Sequence, residues 1–547
     1  MKKWEMLHRS KTQSEKLKVE ELVDILLKNR GIKTAKEKDI FLHPKLEDVT
    51  PKSVGVDLKQ LKKALARIQK AIEDKEQIVV FGDYDVDGIT GSAILWETLH
   101  KMGAKVLPYI PHRVDEGYGL STKGISNLQL QIPNVKLIIT TDNGIVANEA
   151  VSFANDQGID VIISDHHTVG ENLPDAFAIV HTTKLCGAGV AYLLAQELSK
   201  KEEDNHLELA TLGTVADLVP LTGANRAIVK EGLKLLPKTK RLGLQELYKN
   251  AGIEKDIFEP YEIGFVIGPR LNASGRIESA MDSLRLLCTT NRARAEELAA
   301  KLELVNKERQ QLLKKAKEDA IAKFKIKKSV KNLLFIADEN YAQGVIGLVA
   351  GKLVEEFYRP AIVVSIGEEH SKASVRSISG FNIIEFLRLH TEYFVNVGGH
   401  PMAAGFTVET AKITLLQEAL EKNAAKILTE DILTRTLKID CELLFFQITK
   451  KLYATILQLA PFGMGNPEPV FATKDVTIDD LRIMGKDGNH LKLFLRQDKS
   501  TFEAVGFGMG HLAADLKIGD TVDVAYTLDE NAWRGNVKLQ LKIKDLN

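Results

Sequence analysis

Short apolar runs alternate with helical stretches over the first part of the chain. The runs are Ile78–Phe81, Val106–Ile110, Leu137–Thr140 and Val161–Ser164. Helical patterns such as Gly91–Met102 and Ala147–Gln157 lie between some of them. Strand–helix alternation of this kind predicts an α/β fold with a doubly wound parallel sheet.

The rest of the chain changes character after this region. Residues 222–290 have a mainly helical pattern, and Arg292–Lys325 has the apolar spacing of one long amphipathic helix. A second α/β pattern follows, and short β-rich runs separated by Gly, Asp and Asn turns then indicate a small OB-like barrel. The predicted parts are an N-terminal lead-in (1–60), a doubly wound α/β domain (61–290), a connecting helix (291–328), a second α/β domain (329–428) and an OB-fold-like β-barrel (429–547).

Composition limits the cellular setting more than it limits the function. The 74 basic and 74 acidic side chains balance, which argues against a uniformly basic duplex-binding surface but not against a local basic groove. The apolar runs are strand-length, so we expect no membrane segment, and the charged N-terminus has no secretory pattern, which argues against secretion. Cys186, Cys288 and Cys441 have no disulfide or metal-binding spacing, which favours the cytoplasm.

Three of the predicted strands run directly into segments rich in carboxylates and imidazoles. The segments are GDYDVDG (82–88), TDNG (141–144) and SDHH (164–167). Ligand sites in open parallel sheets form beyond the carboxyl ends of the strands, so we expect these side chains to meet in space. Crowded carboxylates repel one another unless a cation neutralises them, and mixed oxygen and imidazole ligands suit manganese.

Each segment alone has an ordinary explanation, as a solvated loop, a helix cap or an incidental histidine pair. Three segments at successive strand ends are much harder to explain in that way. A fourth segment, GTVADLVPL (213–221), places Asp217 in an apolar run where burial is costly without a partner. The sequence therefore predicts a site for two ions that could clamp both oxygens of an in-line phosphoryl displacement.

These four segments, in this order, resemble the motifs of the DHH phosphoesterase superfamily. Downstream, GPRLNASGRI (268–277) and LAPFGMGNPEP (459–469) resemble stretches of the RecJ nucleases within that superfamily, and VGGHPMAAG (397–405) resembles a motif of the DHH-associated domain. The resemblance extends from about residue 60 to the C-terminus. It implies a DHH domain, a DHH-associated nucleic-acid-binding domain and an OB-fold region at the boundaries given above.

The resemblance also implies a set of metal ligands for two ions, Mn²⁺ or Mg²⁺. These ligands would be Asp83, Asp85, Asp87, Asp142, His166 and Asp217. Asp142 would bridge the ions, while the sequence leaves open which of the three aspartates at 83–87 binds which ion. The catalytic residues would be Asp85, Asp142, His166, His167 and Asp217. His167 would stabilise the phosphate or assist proton transfer, or would only orient the loop through a hydrogen bond.

Residues that would contact DNA or its terminal phosphate lie outside the metal cluster. They are Arg113, Tyr118, Asn272, Arg276, Ser374, Arg376 and His400. Arg276 and Arg376 suit a charge-assisted grip on a phosphate, and by resemblance they would hold the 5′ end. His400 follows two glycines that allow close backbone approach. Tyr118 would stack on a base of a single strand or, as readily, pack as a turn aromatic on the sheet.

The chain departs from the family pattern at several positions. Phe81 stands where many DHH enzymes have a histidine, so one metal site would have fewer protein ligands and bind its ion more weakly. Tyr341 and Ala342 occupy positions where many relatives have Trp followed by His or Asn, and Val397 replaces a frequent Phe. Because no presumed ligand is lost, we expect activity with altered groove contacts.

The function implied is a 5′→3′ exonuclease that releases mononucleotides from single-stranded DNA in recombination and repair. A single-strand-binding protein and a helicase would be further partners of a monomeric protein. Alternatives are a DHH phosphodiesterase for short or cyclic oligonucleotides, a DHH pyrophosphatase and a non-catalytic DNA-binding scaffold. Residues 430–547 count against the first, the length and the arginine segments against the second, and the intact motifs against the third.

Overall fold

The computed structural model of the chain describes residues 2–8, 19–112, 116–199, 206–326, 331–533 and 536–547. Contacts divide the chain into two compact units. The large unit contains residues 6–304 and 439–547, and the small unit contains residues 1–5 and 305–438. No helix among the described residues is both long and apolar enough to cross a membrane.

The secondary structure is mixed throughout both units. The strands are β1 (Lys3–Met6), β2 (Gln77–Gly82), β3 (Val106–Tyr109), β4 (Val135–Thr141), β5 (Asp160–Asp165), β6 (Ala178–His181), β7 (Leu334–Asp338), β8 (Ala361–Ser365), β9 (His370–Arg376), β10 (Phe394–His400), β11 (Ala403–Glu409), β12 (Thr436–Ile439), β13 (Cys441–Glu442), β14 (Phe471–Met484), β15 (His490–Gln497), β16 (Ser500–Gly506), β17 (Thr521–Trp533) and β18 (Asn536–Leu546). The helices are α1 (Val19–Asn29), α2 (Ala35–Leu42), α3 (Pro51–Val54), α4 (Leu58–Glu73), α5 (Val86–Lys101), α6 (Thr122–Gln131), α7 (Asn148–Asp156), α8 (Gly187–Ser199), α9 (Leu207–Ala216), α10 (Gly223–Leu235), α11 (Leu242–Ala251), α12 (Gly268–Ile277), α13 (Met281–Cys288), α14 (Arg292–Ile326), α15 (Ile346–Phe357), α16 (Ile383–Arg388), α17 (Ile413–Ile427), α18 (Glu430–Leu433) and α19 (Lys450–Leu457).

The large unit is built on a five-stranded sheet in the order β3-β2-β4-β5-β6. Every neighbouring pair in it is parallel. Alternate residues of β2 enter different cores, because Ile78 and Val80 pack in one apolar cluster while Val79 and Phe81 pack in another. A strand buried on both faces needs helices on both sides, so the predicted doubly wound sheet is confirmed.

One strand of this sheet was not predicted, whereas the helical regions that follow it in the chain were. The strand β6 extends the sheet beyond the strands that the sequence analysis indicated, although the residues from Ala176 to Val180 are all apolar. The expected long helix is present as α14. The mainly helical pattern of residues 222–290 is confirmed by α10 to α13, with a π-helical segment, Glu262–Ile267, before α12.

The C-terminal strands form the predicted barrel. Strands β14 to β18 follow the order β14-β15-β16-β18-β17, and the pairing of β14 with β17 closes them into a ring. The N-terminal helices α1 and α2 contribute to the core of this barrel. Leu26 of α1 and Phe41 of α2 are buried in the same apolar core as the barrel residues Phe445 and Tyr526.

The small unit contains a five-stranded sheet in the order β10-β11-β9-β8-β7. Strands β7 and β8 are parallel, and the remaining pairs are antiparallel. Its core includes Ile362, Val375 and Phe406 from the sheet together with Leu416 of α17. The second α/β domain expected from the sequence is therefore present.

One buried arginine links three parts of the large unit. Arg226 of α10 is fully buried, and its guanidinium lies 3.9 Å from the ring centroid of Phe41. It donates hydrogen bonds to the carbonyl oxygens of Phe41 and Ala460, at 2.7 and 2.8 Å. Burial and the nearby Arg30 lower the pKa of Arg226 to about 10. The side chain thus joins the α/β domain, the N-terminal helices and the approach to the barrel.

We expect Arg226→Met to destabilise the large unit by about 3 kcal/mol, because buried carbonyl oxygens would lose their donors. Thermal unfolding followed by circular dichroism measures the effect. The control is Lys234→Met on the same helix, where a surface ion pair with Glu231 is lost at a cost of about 0.5 kcal/mol or less. Equal unfolding midpoints for the two variants would contradict the linking role.

Candidate metal centre

The carboxyl ends of β2, β4 and β5 carry the metal-type residues to one edge of the sheet. Gly82 at the end of β2 pairs with Thr141 at the end of β4, so the loops that begin at Asp83 and Asp142 start side by side. The backbone N–H of Asp142 donates to the carbonyl of Ser164 at the end of β5, at 3.0 Å. The expected convergence of the three segments is thus present in the fold.

The side chains of these loops and of Asp217 form overlapping groups of potential ligands. In each group the ligand atoms lie within 4.8 Å of one another. The groups are Asp83 with Asp85 and Asp142, Asp87 with His166 and Asp217, and Asp142 with His166 and His167. Asp142 belongs to the first and third groups, so its carboxylate lies near Asp83 and Asp85 as well as near His166 and His167.

His166 lies at the centre of the second and third groups. Its Nε2 is 3.1 Å from Asp142 Oδ1, 3.6 Å from Asp217 Oδ2 and 3.7 Å from Asp87 Oδ2. Burial lowers the pKa of His166, which favours the neutral ring with a lone pair available for a ligand. This arrangement matches an imidazole ligand surrounded by carboxylate ligands.

The carboxylates are held where they cannot all be ionised unaided. Burial and the charges of Asp87 and Asp85 raise the pKa of Asp142 well above its usual range. The same causes raise the pKa of Asp217 to about 9, and burial and Asp87 raise that of Asp85. A cation in the cluster would remove the repulsion and restore the ionised forms.

Hydrogen bonding gives an independent test of whether the cluster fits a metal. Within the described residues, the buried atoms Asp142 Oδ1, His166 Nε2 and Asp217 Oδ2 make no hydrogen bond. Buried polar atoms are rarely left unpaired in native proteins, and a site for an ion is one reason for it. The carboxylate oxygens suit Mg²⁺ or Mn²⁺, and the added imidazole of His166 suits Mn²⁺ better.

Two of the aspartates also hold the helices that surround the site. Asp85 caps α5, and its Oδ1 accepts from the backbone N–H groups of Asp87 and Gly88. Asp87 accepts from the N–H groups of Gly187 and Ala188 at the start of α8, at 2.6 and 2.8 Å. These bonds fix the carboxylates in place before any ion is bound.

Close backbone packing explains the geometry around Asp142. This residue has φ +64°, which is uncommon for a residue other than glycine. A Cβ at Gly187 would lie 2.5 Å from Asp142 Cβ, so only glycine allows α8 to start against this loop. The strained conformation lies at the position that is shared between the ligand groups.

His167 is held on both ring nitrogens. Its Nδ1 is 2.8 Å from Asp165 Oδ1 and its Nε2 is 3.1 Å from the Tyr118 hydroxyl. Burial opposes protonation, but the hydrogen bond and charge of Asp165 outweigh it and raise the pKa of His167. Asp165 also accepts from the backbone N–H groups of His166 and Ile145.

Asp165 is a site residue to which the sequence interpretation gave no role. It is nearly fully buried and lies at the end of β5, inside the SDHH segment. Its position directly before two histidines was the available signal, because a histidine in a functional site is commonly oriented by a carboxylate. Asp165 is therefore the residue that would orient His167 through a hydrogen bond.

The predicted DNA-contacting residues of the large unit lie close to the metal loops where the structure describes them. Tyr118 is half exposed and its ring meets those of Tyr84 and His167 edge-on, at 6.1 Å in each case. Asn272 accepts from the backbone N–H of Val86, at 2.9 Å, and so ties α12 to the first turn of α5. Arg276 lies in the last turn of α12. Arg113 lies outside the described residues.

In the small unit, Ser374 and Arg376 lie on β9 and His400 ends β10. Arg376 and His400 both pair with Ala403 of the strand between them, so they share one row across the sheet. A Cβ at Gly347 would lie 2.9 Å from Ser374 Oγ and 3.2 Å from an Arg376 guanidinium nitrogen. The first turn of α15 therefore lies directly against these two side chains.

The departures from the family pattern have local structural explanations. Phe81 is fully buried and packs against Tyr109 with ring centroids 5.2 Å apart. Asp83 supplies a third ligand atom beside Asp85 and Asp142 although Phe81 offers none. In the small unit, the buried Tyr341 donates to Asp319 at 2.6 Å. Weaker binding of one ion because of Phe81 stays a prediction.

Comparisons with known proteins agree with this arrangement. Family models match residues 77–216 as the DHH family N-terminal domain, residues 328–426 as the DHHA1 domain and residues 439–545 as the RecJ OB domain. The single-stranded-DNA-specific exonuclease RecJ of Bacillus subtilis is 39% identical over 98% of this chain and 69% of that protein. The RecJ of Thermus thermophilus is 33% identical over 91% of this chain and 73% of that protein.

Solved structures show the same fold with metal ions bound. The chain matches Thermus thermophilus RecJ in complex with Mn²⁺ with a TM-score of 0.84 and 28% identity, over 100% of this chain and 79% of that chain. The corresponding Mg²⁺ complex matches with a TM-score of 0.77 and 28% identity, over 100% and 78% of the two chains. From its three matched domains and its similarity to RecJ over most of both sequences, the chain belongs to the RecJ family of the DHH superfamily.

Proposed function

We propose that the chain is a metal-dependent exonuclease that hydrolyses single-stranded DNA. The observation that carries this proposal is the buried cluster in which Asp142 Oδ1, His166 Nε2 and Asp217 Oδ2 converge without hydrogen-bond partners among the described residues. Relatives of this chain are named single-stranded-DNA-specific exonucleases, and two solved structures of one relative hold Mn²⁺ and Mg²⁺ respectively. The shared family supports the same chemistry here.

The ligand groups support an assignment of residues to two ions. Asp83, Asp85 and Asp142 would hold one ion, and Asp87, His166 and Asp217 would hold the other, with Asp142 between them. When bound, the ions would supply Lewis-acid stabilisation of the charge that develops on the phosphoryl oxygens. Asp85 and Asp87 would keep their helix-capping bonds, so the ligand positions need little rearrangement on ion binding.

His167 would contact the phosphate rather than a metal. The carboxylate of Asp165 orients the ring and favours its protonated form, which suits a charge-assisted hydrogen bond to a phosphoryl oxygen. For that contact, the Nε2–H of His167 would be shared between the Tyr118 hydroxyl and a phosphoryl oxygen, while Nδ1 keeps its bond with Asp165. Tyr118 would then continue to position the ring while the substrate is bound.

The small unit would hold the terminal 5′ phosphate, which would set a 5′→3′ direction and the release of mononucleotides. Ser374 and Arg376 offer a hydroxyl and a guanidinium beside the first turn of α15, where the helix dipole favours an anion. His400 lies in the same row of the sheet as Arg376. Arg113, Asn272 and Arg276 would contact the strand from the large unit.

We further propose that the enzyme acts in recombination and repair as a monomer, with a single-strand-binding protein and a helicase as partners. The thiols of Cys186, Cys288 and Cys441 are all free, which supports a reducing cytoplasm.

Asp142→Asn should lower the rate of cleavage of single-stranded DNA on the order of 10³-fold, because the ligand between the two ion sites loses its charge. The measurement follows 5′-labelled and 3′-labelled single strands and a blunt duplex in Mn²⁺. The wild type should release the 5′ label at once as mononucleotide, shorten the 3′-labelled strand progressively and leave the duplex intact.

Asp156→Asn, which changes an exposed carboxylate on α7, is the matched control and should retain full activity. Cleavage of cyclic dinucleotides with long strands resistant would contradict the substrate class. Unchanged cleavage by a folded Asp142→Asn variant would contradict the metal assignment.

Tyr118→Phe removes the hydroxyl of Tyr118 and keeps its ring, so it tests the contribution of the hydroxyl alone. We expect kcat to fall about tenfold because His167 loses a partner that positions it, while KM for single strands stays unchanged because the ring remains. Tyr118→Ala should also raise KM if the ring stacks on a base, and Tyr393→Phe in the small unit serves as a control. A full kcat for Tyr118→Phe would show that the hydrogen bond to His167 has no part in positioning.

A further inference from the structure

An apolar cavity of about 480 Å³ in the large unit is lined in part by residues that are close in the chain to the predicted metal ligand Asp217. Val215 and Leu218 line it, and these residues flank Asp217 in the chain. One wall of the cavity therefore begins at the residue next to a predicted metal ligand. None of the residue roles proposed for cleavage involves this cavity.

The cavity exposes large apolar side chains to solvent. Phe265 is 71% exposed, Leu218 63%, Tyr261 58% and Met464 54%. All four line the same cavity. Exposed apolar groups that adjoin one another commonly mark a binding surface, whereas single ones need no explanation.

Two of these residues form a preassembled aromatic surface. The rings of Tyr261 and Phe265 stack with centroids 5.0 Å apart and an interplanar angle of 22°. Phe265 lies within the π-helical segment Glu262–Ile267, and Tyr261 directly precedes it. Single π-helical turns are rare and often occur at functional sites.

The charges around the cavity favour a neutral occupant. Glu468 and Lys544 both line it, and their charged atoms lie 3.9 Å apart. This pairing of opposite charges leaves little net field for a phosphate. A flat, apolar and uncharged group fits the walls better.

We propose that this cavity is a subsite for a nucleobase of the strand being cleaved, with Tyr261 and Phe265 as the stacking surface. The inference rests on the proposed function. A phosphate bound through the ion at Asp217 would carry its base on one sugar, and Leu218, the next residue in the chain, lines the cavity that would receive this base. Only an unpaired base can leave its own stack to enter, so the subsite would add to the preference for single strands.

The test measures the affinity of the full chain for 5′-phosphorylated, 3′-fluorescent single strands in the Asp142→Asn background with Mn²⁺. Phe265→Ala and Tyr261→Ala should each weaken binding of the intact strand about tenfold. A series of strands, each with one abasic position at a different distance from the 5′ end, identifies the base that contacts Phe265. At that position Phe265→Ala should cause no further loss, because the base it contacts is already absent.

Phe265→Tyr keeps an aromatic ring and should restore the affinity, while Leu130→Ala changes an exposed apolar residue on α6 and should leave it unchanged. Circular dichroism checks that each variant is folded. Equal losses for intact and abasic strands would overturn the subsite, as would an unchanged affinity for all strands.

A change in self-association or in capture of an apolar peptide, with unchanged DNA affinity, would assign the cavity to a protein and would also overturn the proposal. These results concern only the subsite, because cleavage by the wild type and its loss in Asp142→Asn test the proposed function separately. A wild-type chain that neither binds nor cleaves single strands would overturn both.

Discussion

Mutual repulsion among buried carboxylates is the constraint on which the rest of the large unit depends. Asp83, Asp85, Asp87, Asp142 and Asp217 come together with His166, and burial and the charges of Asp87 and Asp85 raise the pKa of Asp217 to about 9. Such a cluster is costly to fold unless something else fixes it. The parallel sheet holds part of the cluster in place, because β2, β4 and β5 end at the same edge and the loops that carry these residues begin there.

The remaining fixation comes from the helices. Asp85 and Asp87 accept hydrogen bonds from backbone N–H groups at the N-termini of α5 and α8. The positive end of each helix dipole there offsets some of the repulsion between the carboxylates. Asn272 then ties α12 to α5, and Arg226 ties the α/β domain to the N-terminal helices and the approach to the barrel. The barrel is consequently part of the same compact unit as the metal cluster.

Sequence patterns predicted the parts of this structure that depend on local order. The apolar runs of β2, β4 and β5 and the residues that follow them were enough to predict a metal site, because strand ends in a parallel sheet share an edge. The bond between Tyr118 and His167 could not be predicted in this way, since it joins two loops 49 residues apart. The packing of α1 and α2 into the barrel core could not be either, because that contact links the two ends of the chain.

Calorimetric titration of the wild-type chain with Mn²⁺ at several pH values tests directly whether the carboxylate cluster binds two ions. Because the pKa values of Asp142 and Asp217 are raised without the ion, binding must displace protons, so affinity should rise with pH up to about 9. We expect two ions to bind per chain, protons to be released in buffers of different ionisation enthalpy, and Asp142→Asn to lose the binding of two ions together. A single ion, or an affinity that does not change between pH 6 and 9, would contradict this expectation.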